Sequence, residues 1–484
     1  MVETLKEKTA KGLFWGGLSN GVQQVLNLVF GIFLARMLTQ SDYGMVGMLT
    51  VFSALAGALQ GGGFISALNR KKEVSHRDYN AVFWTNVLVS FWLYVILFLC
   101  APLIAQFYDI PELTSLARFI FIGLFISSFG IAPSAIMYRN MMVRQQAICS
   151  FVSLTISGVI AVILAYYGFS YWGIAIQTVV YIILVQMTKF YFTGWRPTLP
   201  VDFSPIKEMI GFSSKLIITD LFNIVSSNIF PIILGKLYTP REVGNYTQAN
   251  KWNNMGSTLV GSMVGGISQP VFAKTDNDVV RQKRVFRKLL RFTAFVSFPA
   301  MFGLALVSKE FIVILLTEKW LESALMMQML CIAGAFAPIS ALFSNLIITR
   351  GHSTTYLWCS ISLCLVQLLV VCLSTSFGIE RMIQVYVIVN ICWLFIWRYF
   401  ASKEIQIGLY EVIKDIIPYL VIMICIFCVA IQIFSRISNL YTIFICKVVF
   451  VVVIYCVVLW LLKSVVFRET VFFLIKKTKK VFIR

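Results

Sequence analysis

The sequence predicts an all-α integral membrane protein of about fourteen transmembrane helices, built as two pseudo-symmetric six-helix lobes followed by two further C-terminal helices. Three observations carry that prediction. The 484 residues are 59% hydrophobic and 13% charged, with a mean hydropathy of +0.84. Soluble domains run at about 45–50% apolar and about 25% charged residues. Apolar runs of the ~20 residues that a spanning helix needs recur along the whole chain. Finally, LARMLTQSDYG at 34–44 returns as LGKLYTPREVG at 234–244, aligning Leu34 with Leu234, Arg36 with Lys236, Thr39 with Thr239, Asp42 with Glu242 and Gly44 with Gly244 without a gap.

The first lobe, residues 1–200, holds candidate spans near 12–35, 43–68, 81–106, 114–138, 147–168 and 171–193. The second, 201–405, holds spans near 209–235, 243–272, 292–307, 324–349, 354–376 and 382–400. Between them, 193–205 reads TGWRPTLPVDFSP; each proline removes a backbone donor and disfavours helix at the residue before it. Residues 406–484 carry spans near 412–434 and 440–462, which have no counterpart in the repeat, and a basic tail from Lys476 to Arg484. Each copy of the repeated phrase is the short polar connection of a membrane hairpin, and a second echo pairs Ala132-Pro133 with Ala337-Pro338. Membrane proteins built from two like halves carry substrates near the bilayer midplane, between the halves. Segments 102–111 and 311–320 are short, amphipathic and aromatic-rich, and are expected at the outer interface, where Trp and Tyr are favoured. The run Gln60-Gly61-Gly62-Gly63 lies inside a span and reads as a close helix approach or a break. Met1–Ala10 lacks a small-residue cleavage site, so the first span is read as retained, not as a signal peptide.

The net charge of +20 is not a nucleic-acid footprint. With the amino terminus in the cytoplasm, Arg70-Lys71-Lys72, the segment 274–291 and the tail all fall on the cytoplasmic side. This is the positive-inside bias, and it places both termini there, with the remaining excess serving contact with anionic lipid heads. The eleven cysteines lie in or at the ends of apolar runs, so no disulfide framework is implied; Cys425 and Cys428 read as small packing groups. His76 and His352 have no acidic or Cys partner at ligand spacing, and no metal site is expected. No Gly-rich loop ends in Lys-Ser/Thr, which argues against ATP hydrolysis by this chain. No loop is long enough to house a catalytic domain. The reading is therefore a transporter, not an enzyme, with no cofactor.

Polar groups in hydrocarbon face a cavity or another helix. Asn20, Gln23, Gln24 and Asn27 share one face of span 1, and the repeat-related positions of span 7 hold Asp220, Asn223 and Ser227. For any single member, interhelical hydrogen bonding worth about 0.6–2 kcal/mol remains an alternative; the paired stripes as a set read as cavity lining. Asp220 lies about eleven residues, roughly 16 Å, into its run. A carboxylate there must be protonated, paired or wet, which makes it the candidate for coupling to a proton or sodium ion. On span 8, Lys251, Asn254, Thr258 and Ser262 form another stripe, while Lys215 on span 7 lies closer to interfacial water. Lys215 and Asp220 are about 140° apart around the helix and do not pair. Arg118 and Lys447 lie shallow on the outer side, where snorkelling is the leading explanation; Arg118 is kept among the cavity candidates. The candidate set is thus Lys251, Lys215, Arg118, Asn20, Gln23, Asn27, Asn223 and Asn254, with Asp220 for coupling. A cationic cavity fits an anionic cargo, and pyrophosphate is the natural choice because ammonium and guanidinium groups compensate it when water is withdrawn.

The phrases LTQSDYGMVGMLTVFSAL (38–55), NAVFWTN (80–86), APLIAQFY (101–108) and Glu318-Lys319-Trp320 resemble the polysaccharide transporter family, the Wzx-type flippases of capsule, O-antigen and exopolysaccharide pathways in the MOP flippase superfamily. The resemblance runs over residues 10–400 or so. It implies two six-helix lobes, as in lipid II flippases and multidrug exporters, with spans 1, 2, 7 and 8 lining a V-shaped cavity. In relatives with two extra C-terminal helices, that pair forms a groove for the lipid tail. The implied function is alternating-access translocation of undecaprenyl-diphosphate-linked oligosaccharide across the bacterial inner membrane. The implied partners are that lipid-linked oligosaccharide, membrane lipids, a coupling ion and the polysaccharide assembly machinery, with no nucleic acid. The alternative is an ion-coupled exporter of small cationic drugs or metabolites, which an acid-rich cavity would favour. The family has no fixed catalytic motif, so the residue choices rest on the stripes.

Overall fold

The structure, a computed structural model, describes residues 5–61, 64, 68, 71, 73–206, 218, 221–274, 278–434 and 439–469. Lys215, Asp220 and the tail Lys476–Arg484 lie outside this set, as does the side chain of Asn20. Among the described residues all regular structure is helical. By packing, the chain divides into two compact units, Met1–Gly244 and Asn245–Arg484.

The first unit contains α1 (Leu5–Met37), α2 (Gln40–Gly61), α3 (His76–Tyr108), α4 (Leu113–Ser128), α5 (Ile131–Arg139), α6 (Val143–Tyr166), α7 (Tyr171–Thr193) and α8 (Ile229–Leu237). Helix α9 (Pro240–Lys274) begins in it and continues into the second unit. The second unit goes on with α10 (Val279–Leu306), α11 (Ser308–Leu316), α12 (Leu321–Thr349), α13 (Ser353–Leu373), α14 (Ile379–Ile405), α15 (Leu409–Phe434) and α16 (Leu440–Leu461). Ten described helices are long and apolar enough to cross a membrane, or eleven if the pair α4–α5 counts as one span. This chain is a multi-pass membrane protein. Helix α9, which carries one of the polar stripes, falls short of that measure because polar residues and glycines dilute its apolar run.

Local chemistry sets the helix ends. Ser75 and Asp78 form a capping box at the start of α3, with the Ser75 N–H donating to Asp78 Oδ2 at 2.8 Å, which satisfies donors that a helix start leaves open. The span expected at 114–138 is broken, α4 meeting α5 at 47°. The Gln186 side chain of α7 fills the space where a Cβ on Gly130 would stand. On the other half of the echo, Pro338 lies within the single helix α12. Residues 102–108 continue α3, with Pro102 inside the helix. The segment 311–320 is instead a short helix, α11, and a 3₁₀ turn.

The basic segment 274–291, read from the sequence as the connection before a span at 292–307, is helical from Val279 onward. Helix α10 starts at Val279, where Asp278 caps the Arg281 N–H at 2.9 Å. The cations that follow are bonded to α15: Arg287 Nε donates to Asp415 Oδ2 at 2.7 Å and its NH1 to Glu411 Oε1 at 3.1 Å, while Lys283 pairs with Glu411 at 2.8 Å. Tyr455 on α16 donates to the Phe295 carbonyl at 3.0 Å. The two C-terminal helices are therefore tied to α10 by buried polar bonds. Removing them would leave Arg287 without its Asp415 partner.

Lys447 also departs from its expectation. It does not snorkel: its ammonium meets Glu310 Oε1 at 2.6 Å and the Leu306 carbonyl at 3.2 Å, with only 13% of the lysine and 6% of the glutamate side chain exposed. Breaking one side of a buried pair leaves an uncompensated charge, at a cost of about 3–5 kcal/mol. Lys447→Met should thus lower thermal stability in detergent, and Lys447→Met with Glu310→Gln should recover most of it. Equal stability of both variants would show that the pair carries no such coupling.

Candidate functional site

The repeated phrase builds the same device twice. Thr39 precedes α2, and its N–H and Oγ1 donate to Asp42 Oδ2 at 2.8 and 2.7 Å. Thr239 precedes α9, and its N–H and Oγ1 donate to Glu242 Oε2 at 2.8 and 2.9 Å. Both are N-cap arrangements with an acidic residue in the first turn, which also suits the positive end of the helix. Asp42 is buried, and the Ser170 hydroxyl donates to its other oxygen.

The two helix starts cross at their glycines. A Cβ on Gly44 would overlap the Pro240 carbonyl, and a Cβ on Gly244 would overlap the Gln40 carbonyl. Only hydrogen at both positions lets the backbones approach this closely. Close by, Lys236 pairs with Asp109 at 2.9 Å, and Tyr108 packs against Gly235. The sequence displayed these residues through the repeat, but a repeat alone does not say that its two copies touch.

Farther along α9, side chains divide into two faces. Lys251, Asn254, Thr258 and Ser262 are all exposed, whereas Trp252, Asn253, Val260 and Val264 are buried. The buried face is fixed within the second unit. Asn245 donates to Glu322 Oε2 at 2.5 Å and accepts from the Ser323 hydroxyl at 3.0 Å. Trp252 stacks edge-on against Phe311 with ring centroids 5.0 Å apart, and Asn345 donates to Ser268 Oγ at 3.1 Å. Gly256 sits against Met301 and Leu304 of α10, and Gly334 of α12 sits under Asn253. These contacts leave the stripe facing away from the helices that hold α9. Lys251 lies eleven positions after Pro240, about 16 Å along the axis, deeper than a start at 243 suggested. No described residue holds its ammonium.

The other candidates are distributed as follows. Gln23 is half-buried and Asn27 exposed on α1, and Asn223 is half-buried in the stretch preceding α8, with its carbonyl accepting from Ser227 at 2.7 Å. Arg118 rests on α3: its guanidinium lies 4.3 Å from the Phe98 ring centroid, and Nε donates to the Phe98 carbonyl at 3.4 Å. The histidines also have structural partners. His76 Nδ1 accepts from Trp195 at 3.1 Å with Nε2 3.0 Å from Thr198, and His352 stands 3.2 Å from Glu404. Sequence reasoning missed a buried polar knot where Gln60 ends α2. Asn86 donates to the Gln60 carbonyl, Gln60 Nε2 donates to Asn86 Oδ1 at 3.4 Å, and Ser127 donates to Gln60 Oε1 at 3.0 Å. The glycine run beside Gln60 was its one visible signal.

The chain is similar to known proteins over most of its length. A family model described as polysaccharide biosynthesis protein matches residues 33–325. The lipopolysaccharide biosynthesis protein WzxC of Escherichia coli is 24% identical, covering 72% of this chain and 71% of its own. The teichuronic acid biosynthesis protein TuaB of Bacillus subtilis is 25% identical, covering 86% and 87%. The succinoglycan biosynthesis transport protein ExoT of Rhizobium meliloti is 25% identical, covering 66% and 65%. Among solved structures, the lipid II flippase MurJ in its inward closed conformation superposes with a TM-score of 0.71 at 14% identity, covering 94% of this chain and 99% of that one. An inward-facing multidrug resistance MATE transporter of the MOP superfamily gives 0.63 at 16% identity, covering 79% and 94%. The fold is therefore that of MOP transporters, and the chain belongs to the polysaccharide biosynthesis protein family matched over residues 33–325.

Proposed function

We propose that this protein is a flippase that translocates an undecaprenyl-diphosphate-linked oligosaccharide across the bacterial inner membrane by alternating access, for surface polysaccharide biosynthesis. The observation that carries the reading is the exposed stripe of α9, with Lys251 at mid-helix depth, in a chain of this family. A bare charge in hydrocarbon costs several kcal/mol or more; a hydrated cationic lining replaces the water that a pyrophosphate gives up. The lipid tail stays in the bilayer while the head group crosses. The lobes are residues 1–200 and 201–405, and 406–484 supplies a surface for the tail. Gln23, Asn27, Asn223 and Asn254 contribute neutral polar contacts for the sugar, with Asn20 and Lys215 beside them in sequence. Both termini lie in the cytoplasm, the protein transports without chemical conversion, and the assembly machinery receives its cargo. The exporter alternative, with a small cationic cargo, is disfavoured by Lys251. Deletion of the gene tests the function: lipid-linked glycan should accumulate on the cytoplasmic side and surface polysaccharide should be lost. Unchanged surface polysaccharide would contradict it.

Asp220 is proposed to couple transport to an ion. Asp220→Asn keeps shape and hydrogen bonding, so a packing role predicts little loss, whereas coupling predicts loss of export and of its dependence on the pH gradient. Full activity of Asp220→Asn would remove the coupling role.

A further inference from the structure

Between α10, α15 and α16 lies a cavity of about 410 Å³, within the ~300–1,000 Å³ of small-molecule sites. Three cations line it, one from each of α10 and α15 and one from the turn after α16: Arg291, Lys414 and Lys463. The carboxylate in its wall, Asp415, is 3% exposed and already accepts two bonds from Arg287, at 2.7 and 3.1 Å, with Arg291 Nε 3.3 Å away. Lys414 and Lys463 are exposed and have no carboxylate partner among the described residues. The cavity therefore presents more positive charge than its own acid neutralises. Its opposite wall is apolar, formed in part by Ile422 of α15 and Leu459 of α16, and Tyr419 and Ser464 add hydroxyls 3.4 Å apart.

Lys463 has φ 53°, a left-handed conformation that favours glycine. The turn is closed by Lys463 N–H to the Trp460 carbonyl at 3.1 Å and Ser464 N–H to the Leu459 carbonyl at 3.0 Å. Lys463 nonetheless lines the cavity, at a position where glycine would serve the backbone better. Around the mouth, Ile417, Trp460, Leu461 and Val465 are exposed, as expected of a surface that meets lipid chains.

We propose that this cavity binds the phosphate head group of a membrane lipid, with the lipid's apolar chains lying along α15 and α16. Lys and Arg are the side chains that recognise phosphate, and cations beside an apolar membrane surface attract anionic head groups. The proposal goes beyond the reading of 406–484 as a surface for the cargo's tail by placing a head-group phosphate; its polyprenyl arm rests on that reading, and its glycerophospholipid arm does not. Two sources share this chemistry, an anionic glycerophospholipid and a polyprenyl diphosphate.

The test is binding to the purified full-length protein in detergent, read by native mass spectrometry with dioleoyl phosphatidylglycerol in one arm and undecaprenyl diphosphate in the other. The variant is Lys414→Ala with Lys463→Gly. Removing both charges should weaken binding in at least one arm by about tenfold or more, while glycine at 463 relaxes the backbone, so the unfolding midpoint should stay level or rise. A loss confined to phosphatidylglycerol identifies a bulk lipid, and a loss confined to the diphosphate identifies a polyprenyl carrier. Lys414→Arg alone should bind as the wild type does. Unchanged binding in both arms, or phosphatidylcholine binding the wild type as tightly as phosphatidylglycerol, would overturn the proposal.

Discussion

Gly44→Val is expected to abolish glycan export while leaving an inserted protein. The Gly44 α-carbon faces the Pro240 carbonyl so closely that a Cβ has no place, and Gly244 stands in the same relation to Gln40. The obstacle is backbone in both cases, so no rotamer change relieves it. The helix starts must separate, which costs about 1–3 kcal/mol or more and pulls on the caps at Thr39 and Thr239. Gly44 and Pro240 lie within one compact unit, where their contact fixes how α2 packs on the start of α9. A variant that cannot make this contact displaces the start of α9, the helix that carries the Lys251 stripe. Export should fall by about tenfold or more, since each 1.4 kcal/mol is a tenfold change in population, and Gly244→Val should do the same. Wild-type export from normally inserted Gly44→Val would show that the close approach is not needed.

Lys251→Ala should also cut export strongly, with an opposite signature in stability. Lys251 is exposed and unbonded among the described residues, so its loss removes no structural contact. A charge at helix centre costs about 2.5–3.5 kcal/mol in an insertion setting; its removal should leave the unfolding midpoint level or raise it. Lys251→Arg keeps the charge and should retain much of the activity. Reduced activity with undiminished stability is what a cargo-binding cation gives and a packing residue does not. Wild-type export from Lys251→Ala would remove Lys251 from the cavity.

The features legible in the sequence are those set locally. Apolar runs and the repeat gave the helical membrane fold, and the 3.6-residue period put Lys251, Asn254, Thr258 and Ser262 on one face, where the structure also has them. Features set by distant partners were not legible. The bonds of the cations in 279–291 were not visible because Glu411 and Asp415 lie more than a hundred positions away along the chain. Lys447 read as snorkelling because its partner Glu310 belongs to another helix. Nothing local signals that the Phe98 ring lies beneath Arg118. Likewise, Gln186 of α7 stands against Gly130 at the bend between α4 and α5, a contact that no window of sequence contains.

The most direct measurement of the central claim is translocation by the purified protein in liposomes. An undecaprenyl-diphosphate-linked oligosaccharide is placed in one leaflet, and its appearance in the other is read with a membrane-impermeant glycan-cleaving enzyme. The account predicts that glycan becomes accessible across the bilayer with the wild-type protein and much more slowly with Lys251→Ala. Equal rates for wild-type, Lys251→Ala and protein-free liposomes would contradict it.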